Sequence, residues 1–250
     1  MRAVVAGDGP VGRETARLLA RAEVAEVALV CGSPGAAAGA QRDLGGRVRG
    51  AASLEEAGPA DVVVLTEPSE AVRAARDAAR ICPATVLLLA MPGSLELCRE
   101  AARGSGLRPA RILATGGVAF AAREAARLAR MHGAAASQIA VPVIGGGEDS
   151  ELRSLLRYAS LAGIPLRPVS PSAAAPPGGI SPRAAAAVAR AVLTDSRRVL
   201  CCASWIGEGH GLAGGFATLP FPVGARGAGP PLPLSLTLEE RSILQRVSVR

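Results

Sequence analysis

Residues 2–12 read Arg-Ala-Val-Val-Ala-Gly-Asp-Gly-Pro-Val-Gly, a short apolar strand running into Gly7-x-Gly9-x-x-Gly12. A helical pattern follows at once through Ala16, Leu18 and Leu19. Strand, glycine turn and helix in direct succession make the turn through which a backbone approaches a pyrophosphate. Gly7 permits the tight turn, Gly9 leaves room for the phosphate, and Gly12 lets helix and strand pack closely. The helix N-terminus adds free N–H groups and a positive dipole end.

Outward from this turn the chain alternates strand and helix. Apolar runs predict strands at 2–6, 26–31, 47–49, 61–66 and 84–90, and helical periodicity lies at 11–22, 35–44, 69–81 and 94–104. Val62-Val63-Val64-Leu65 and Thr85-Val86-Leu87-Leu88-Leu89 are continuous apolar runs, as parallel strands buried on both faces require. The expected architecture is a Rossmann-type, doubly wound parallel sheet over residues 1–110, followed by a mixed α+β domain over 111–250. In that second part a strand is expected at 111–115, then a helix with Arg123, Arg127 and Arg130 on one face. Ile139–Ile144 reads as a strand ending in Gly145-Gly146-Gly147, and 151–161 as a helix. Residues 168–180, rich in Pro, Ala and Gly, read as a long loop. Ser181-Pro182 starts a helix that is expected to reach about Arg197. Strands are expected near 199–205, 216–223 and 232–236, and Thr237-Leu238-Glu239-Glu240 is a capping box for a last helix.

Composition narrows the classes. The chain has 250 residues, 49% of them hydrophobic but only 2% aromatic, so its core is built from Ala, Val, Leu and Ile. All 28 basic residues are Arg, and the net charge is +7. The arginines are spread along the chain and aromatics are nearly missing, which argues against a nucleic-acid surface. The apolar run Ala84–Met91 is too short to span a bilayer. Cys31, Cys82, Cys98, Cys201 and Cys202 have no metal-ligand spacing, so no metal site is expected and a reduced, cytoplasmic setting fits. Cys201 and Cys202 lie in an apolar run and read as small core residues.

At this point the chain resembles the malate/lactate dehydrogenase family over nearly its whole length. Gly7-Asp8-Gly9-Pro10-Val11-Gly12 looks like the cofactor turn, and Gly39-Ala40-Gln41-Arg42-Asp43-Leu44 like the helix after the second strand. Asp61–Thr66 resembles the fourth strand, whose Thr lies beside the cofactor. Arg111–Val118, with Arg123 five residues on, resembles the substrate-arginine segment. Leu161–Pro165, Gly211-Leu212 and Pro222-Val223 continue the match. The resemblance implies NAD or NADP as cofactor, held by Gly7, Gly9, Pro10, Val11, Gly12 and Thr66. It implies a small 2-hydroxy or 2-oxo acid clamped by Arg123, and pairing with a second copy or with a paralogue. Hydride transfer in the family uses a His base, an Asp that orients it, and further Arg residues on a mobile loop.

Several of those residues are missing. The family's Gly-Gly-His-Gly-Asp turn is Gly145-Gly146-Gly147-Glu148-Asp149 here, so Gly147 replaces the imidazole. Glu148 is the adjacent carboxylate, read either as a stand-in base or as a solvated turn residue. Phe120 stands where the orienting Asp is expected, and Met91-Pro92 where an Asn-Pro pair is expected. Thr66-Glu67-Pro68-Ser69 passes quickly into a helix, so the mobile loop is essentially deleted. The second strand ends Leu29-Val30-Cys31-Gly32-Ser33 without the acid that normally holds the adenosine ribose. Either a 2′-phosphate is accommodated, with Arg42 or another Arg near it, or the ribose site has decayed. Arg123 itself reads either as a carboxylate clamp or as part of a solvated stripe with Arg127 and Arg130. The two histidines are a C-terminal helix residue, His132, and a turn residue, His210. No catalytic residue of the family's dyad is therefore assigned. The expected function is that of a divergent oxidoreductase of the malate type with activity weak or lost, the alternative being a non-catalytic nucleotide-binding or structural partner.

Overall fold

The computed structural model describes residues 1–146, 151–166, 180–209 and 212–249. Strands β1 (Arg2–Ala6), β2 (Glu26–Val30), β3 (Val48–Ala51), β4 (Val62–Leu65), β5 (Val86–Leu89) and β6 (Ile112–Ala114) pair in parallel in the order β3-β2-β1-β4-β5-β6. That order is the doubly wound one, with its reversal between β1 and β4. The helices between them are α1 (Pro10–Arg21), α2 (Pro34–Asp43), the one-turn α3 (Leu54–Ala57), α4 (Ala71–Ile81) and α5 (Ser94–Ser105). Val62–Leu65 and Val86–Leu89 are buried at every position, as their unbroken apolar runs require. With few aromatics available, helix faces made of alanine close the layers: Ala71, Ala75, Ala78 and Ala79 all bury on α4.

The sheet does not stop at β6. It continues through the long hairpin β12 (Arg198–Gly209) and β13 (Leu212–Gly224), then β8 (Val143–Gly145) and β9 (Leu152–Ser154), all antiparallel. A short strand β14 (Gly227–Ala228) pairs with β13. Helix α6 (Gly116–His132) leaves β6 and packs against β12, which requires glycine at 117: a β-carbon there would stand 2.3 Å from the Cys201 carbonyl oxygen. A small second sheet joins β7 (Ile139–Ala140), β10 (Ser160–Leu161) and β11 (Ile164–Pro165). Helix α7 (Pro182–Leu193) returns the chain to the first half and packs on α1. Helix α8 (Leu238–Val249) ends the described chain.

Four expectations are corrected here. Residues 151–161 form β9, a 3₁₀ turn at 156–158 and β10 rather than a helix. Their buried positions Leu152, Leu155 and Ala159 are spaced 3 and 4 apart, which imitates a helix face, but pairing with β8 and β7 prevails. Residues 232–236 form no strand, because Pro230, Pro231 and Pro233 lack ladder donors; the Leu232 N–H alone reaches the Pro220 carbonyl at 2.9 Å. The stretch 139–144 is two strands broken at Pro142, not one. Helix α7 stops at Leu193 rather than Arg197, where Asp195 and Arg197 take positive φ of 43° and 51°. The loop expected at 168–180 lies, but for Ile180, outside the described residues.

Candidate active site

The glycine turn sits at the C-terminal ends of β1 and β4. Gly7 has φ +113°, a conformation other residues rarely adopt, and its N–H donates to the Val30 carbonyl at 3.2 Å. Gly12 is constrained by contact: a β-carbon there would lie 1.9 Å from the Gly7 carbonyl oxygen. Gly9 caps α1 and Pro10 occupies its first turn, where a missing N–H costs nothing. Val11 follows, half-buried. The Thr66 hydroxyl, in a buried residue, donates to the Ala6 carbonyl at 3.0 Å and lies 3.5 Å from that of Gly7. It ties the end of β4 to the turn. Five of the six candidate cofactor residues are thus the turn itself, and Thr66 braces it from below.

A cleft of about 510 Å³ opens beside the turn. Its wall carries Asp8, Glu55, Glu67, Glu70 and Asp77 against a single Arg73. Some of these charges are matched. Arg13 lies 3.7 Å from Asp8, Arg80 contacts Glu55 and stands 3.8 Å from Asp77, and Arg73 is 4.0 Å from Asp77. Among the described residues no ion pair neutralises Glu67 or Glu70. The Glu67 side chain lies over the turn, its Oε1 3.5 Å from the place where a β-carbon on Gly9 would stand. Sequence reasoning passed over Glu67; the signal was an acid between the braced Thr66 and Pro68.

Where the ribose acid is expected, Gly32 turns with φ +72° and Ser33 caps α2, accepting from the Ala36 N–H at 3.3 Å. Arg42 lies in the last turn of α2, about 13–14 Å along the helix from Ser33 at 1.5 Å per residue. It is not placed to meet a phosphate at Ser33. The fold therefore fits a dinucleotide at the turn's backbone, while the acidic wall and the missing ribose acid do not.

On α6, Arg123 and Phe120 stand one helical turn apart. The Arg123 guanidinium carbon stands 5.6 Å from the centroid of the Phe120 ring, a cation–π stack. Phe120 is 4% exposed and packs with Val143, Leu152 and Cys201. Arg127 pairs through two hydrogen bonds, 3.2 and 3.1 Å, with Glu124, itself 3% exposed. The solvated-stripe reading of Arg123, Arg127 and Arg130 is corrected accordingly: only Arg130 is exposed. His132 ends α6 and is exposed; His210, Gly147 and Glu148 lie outside the described residues. The backbone leading to Gly147 is firmly held. Thr218 Oγ1 donates to the Gly146 carbonyl at 2.6 Å, and the Glu151 carboxylate lies over Gly146, 1.9 Å from where its β-carbon would be. Met91 is buried at the expected Asn position. Among the described residues no cluster of side chains is arranged to hold a metal ion.

Fold and turn together define a Rossmann-type α/β protein. No family model matches the chain. Malate dehydrogenase of Thermomicrobium roseum is 27% identical over 97% of this chain and 93% of its own length. That of Synechocystis is also 27% identical, over 96% and 88%. Among solved structures, malate dehydrogenase from Salinibacter ruber superposes with a TM-score of 0.88 at 22% identity, covering 99% of this chain and 94% of that one. The Plasmodium falciparum malate dehydrogenase in complex with NADH gives 0.87 at 18% identity, covering 99% and 95%. These relatives and neighbours support membership of the malate/lactate dehydrogenase family.

Proposed function

We propose that this chain is a malate dehydrogenase-like oxidoreductase by descent whose oxidation of malate or lactate is weak or lost. The reading keeps NAD or NADP as the ligand class of the Gly7–Gly12 turn and Thr66, and a small 2-hydroxy or 2-oxo acid as the ligand of Arg123. It keeps residues 1–110 as the dinucleotide half and 111–250 as the acid-binding half. The observation that carries it is Phe120, a buried ring in an apolar cluster at the position where the family's base-orienting Asp is expected. Oxidising a 2-hydroxy acid requires taking the proton from its hydroxyl. Gly147 has no group to take it. Loss of a general base typically costs about 10²–10⁴ in rate, or roughly 3–5 kcal/mol of barrier. The reading assigns the clamp to Arg123, whose guanidinium stacks on the Phe120 ring; a planar guanidinium holds a carboxylate through two parallel hydrogen bonds.

The acidic wall of the cleft favours a second reading, a non-catalytic partner of an active paralogue, in a reducing compartment suited to five free cysteines. One experiment separates them. Purified protein is assayed with malate, lactate and oxaloacetate against both nicotinamide cofactors, and Arg123→Ala is run beside it. Turnover of about one per second or faster would overturn the proposal, since it lies within the ordinary range of enzymes. Residual turnover that falls about tenfold or more in Arg123→Ala supports a degenerate dehydrogenase, as loss of a charged hydrogen bond predicts. No turnover fits complete loss of activity and is the one outcome under which the partner reading also stands.

A further inference from the structure

The glycine turn and the residue facing it disagree. Gly7, Gly9 and Gly12 leave the backbone bare, and α1 directs its first-turn amides and positive dipole end toward the same point. A diphosphate would be drawn to that place. In this chain a carboxylate is already there. A β-carbon on Gly7 would stand 3.1 Å from the Glu67 Cδ, and one on Gly9 3.5 Å from Glu67 Oε1.

The position of Glu67 follows from the local sequence. Thr66 is anchored to the turn by its hydroxyl, so Glu67 begins directly above Gly7. Pro68 follows, and a residue before proline is held extended; Glu67 has φ −125° and ψ 128°. A 3₁₀ turn at Pro68–Glu70 then passes straight into α4 at Ala71. The mobile loop of the family would start at this point. Its absence leaves Glu67 on a short, anchored link rather than on a segment that swings away. Glu70 and Asp8 line the same cleft and add negative charge around it.

We propose that Glu67 is a tethered carboxylate that holds the anion seat of the glycine turn against the cofactor's pyrophosphate, and thereby sets the dinucleotide affinity of this chain. The inference rests on the reading above that the turn faces a dinucleotide. A like charge a few ångströms from the pyrophosphate, in a partly enclosed cleft, weakens binding on the order of tenfold or more. Glu67 is exposed and braces nothing else among the described residues, so replacing it leaves the fold intact.

The test is calorimetric titration of the full chain and its Glu67→Ala and Glu67→Gln variants with NADH, NADPH and adenosine. Glu67→Ala is expected to bind NADH about tenfold tighter or better than the wild type. Glu67→Gln, which keeps the volume and removes the charge, is expected to recover part of that gain. Adenosine carries no phosphate, and its affinity is expected to stay the same in all three proteins. Equal, measurable NADH affinity in wild type and Glu67→Ala would overturn the proposal and leave the dinucleotide reading standing. An equal gain for adenosine would also overturn it, because the effect would then not lie at the phosphates. No binding of either dinucleotide by any of the three would overturn both the proposal and the cofactor reading beneath it.

Discussion

Arg123 rests on Phe120: the guanidinium carbon lies 5.6 Å from the ring centroid, and the ring in turn is sealed among Val143, Leu152 and Cys201. The ring both fills the core under β8 and β9 and fixes the arginine above it. Phe120→Ala is expected to destabilise the fold by about 3–5 kcal/mol through the lost burial and the cavity left behind. For a chain of this size that lowers Tm by roughly 6–20 °C at 2–4 °C per kcal/mol. Phe120→Asp does not rebuild a catalytic pair; it buries a carboxylate among apolar side chains and costs at least as much. Calorimetry of the two variants checks both, and an unchanged Tm in either contradicts the packing described.

The three glycines of the turn are expected to differ sharply in tolerance. Gly12→Ala forces a β-carbon to 1.9 Å from the Gly7 carbonyl oxygen, a backbone atom that cannot step aside. Strain of this kind costs typically about 1–3 kcal/mol and occasionally more. Gly9→Ala meets only the tip of the Glu67 side chain at 3.5 Å, an ordinary contact, and Gly9 has a φ of −64° open to any residue. Its effect on stability is expected to stay within about 0.5 kcal/mol. Chemical denaturation of the pair reads the contrast directly.

The last helix is held by a reciprocal cap. The Thr237 N–H donates to Glu240 Oε2 at 2.8 Å and the Glu240 N–H to Thr237 Oγ1 at 3.3 Å. Arg157 reaches the same carboxylate at 2.7 Å and joins α8 to the turn before β10. Thr237→Ala is expected to cost about 1 kcal/mol. The hydrogen bond from Arg157, and after it the Thr237 N–H, holds the Glu240 carboxyl below its ordinary value of 4.5. A carboxyl depressed in the folded state contributes stability that is complete above the unfolded value and is lost as pH falls through the folded one. Wild type is therefore expected to lose stability below pH 4.5 more steeply than Glu240→Gln, which keeps an acceptor for the cap but no charge. Thermal melts from pH 6 to about 3 test the difference.

The thiols are expected to divide into two classes. Cys98, Cys201 and Cys202 are buried, and burial raises all three, Cys201 to about 11. Cys31 and Cys82 are partly accessible. A disulfide reagent added to native protein is expected to label no more than these two, and all five after denaturation. Rapid labelling of a third thiol in the native state would place one of the buried sulfurs at the surface.

Much of this was legible in the chain because periodicity and turn chemistry agreed. The buried runs at Val62–Leu65 and Val86–Leu89, the Gly7–Gly12 turn and the Thr237–Glu240 box each carry a local signal that the tertiary structure repeats. Local pattern and fold part where a distant partner decides. Leu152, Leu155 and Ala159 have a helix's spacing, yet Leu152 pairs with Gly145 of β8, the Leu155 N–H donates to the Pro142 carbonyl, and Ala159 precedes a strand paired with β7. Arg127 has the spacing of a solvated stripe, yet its guanidinium pairs with Glu124, buried beside it on α6. Glu67 follows the same rule: an acid between Thr66 and Pro68 is visible in the sequence, but the turn its side chain covers lies some sixty residues away.

The geometry of the turn also says how such a chain can age. Gly7 is required by its backbone angle and Gly12 by its distance to Gly7, and both demands come from joining β1 to α1. Neither depends on a ligand. Gly9 alone faces outward. In a lineage that had given up its cofactor, two of the three glycines would persist under selection for folding, and drift would be free to begin at the ninth residue. The signature is a fossil of the joint first and of the ligand second, and position 9 is where the two histories can be told apart.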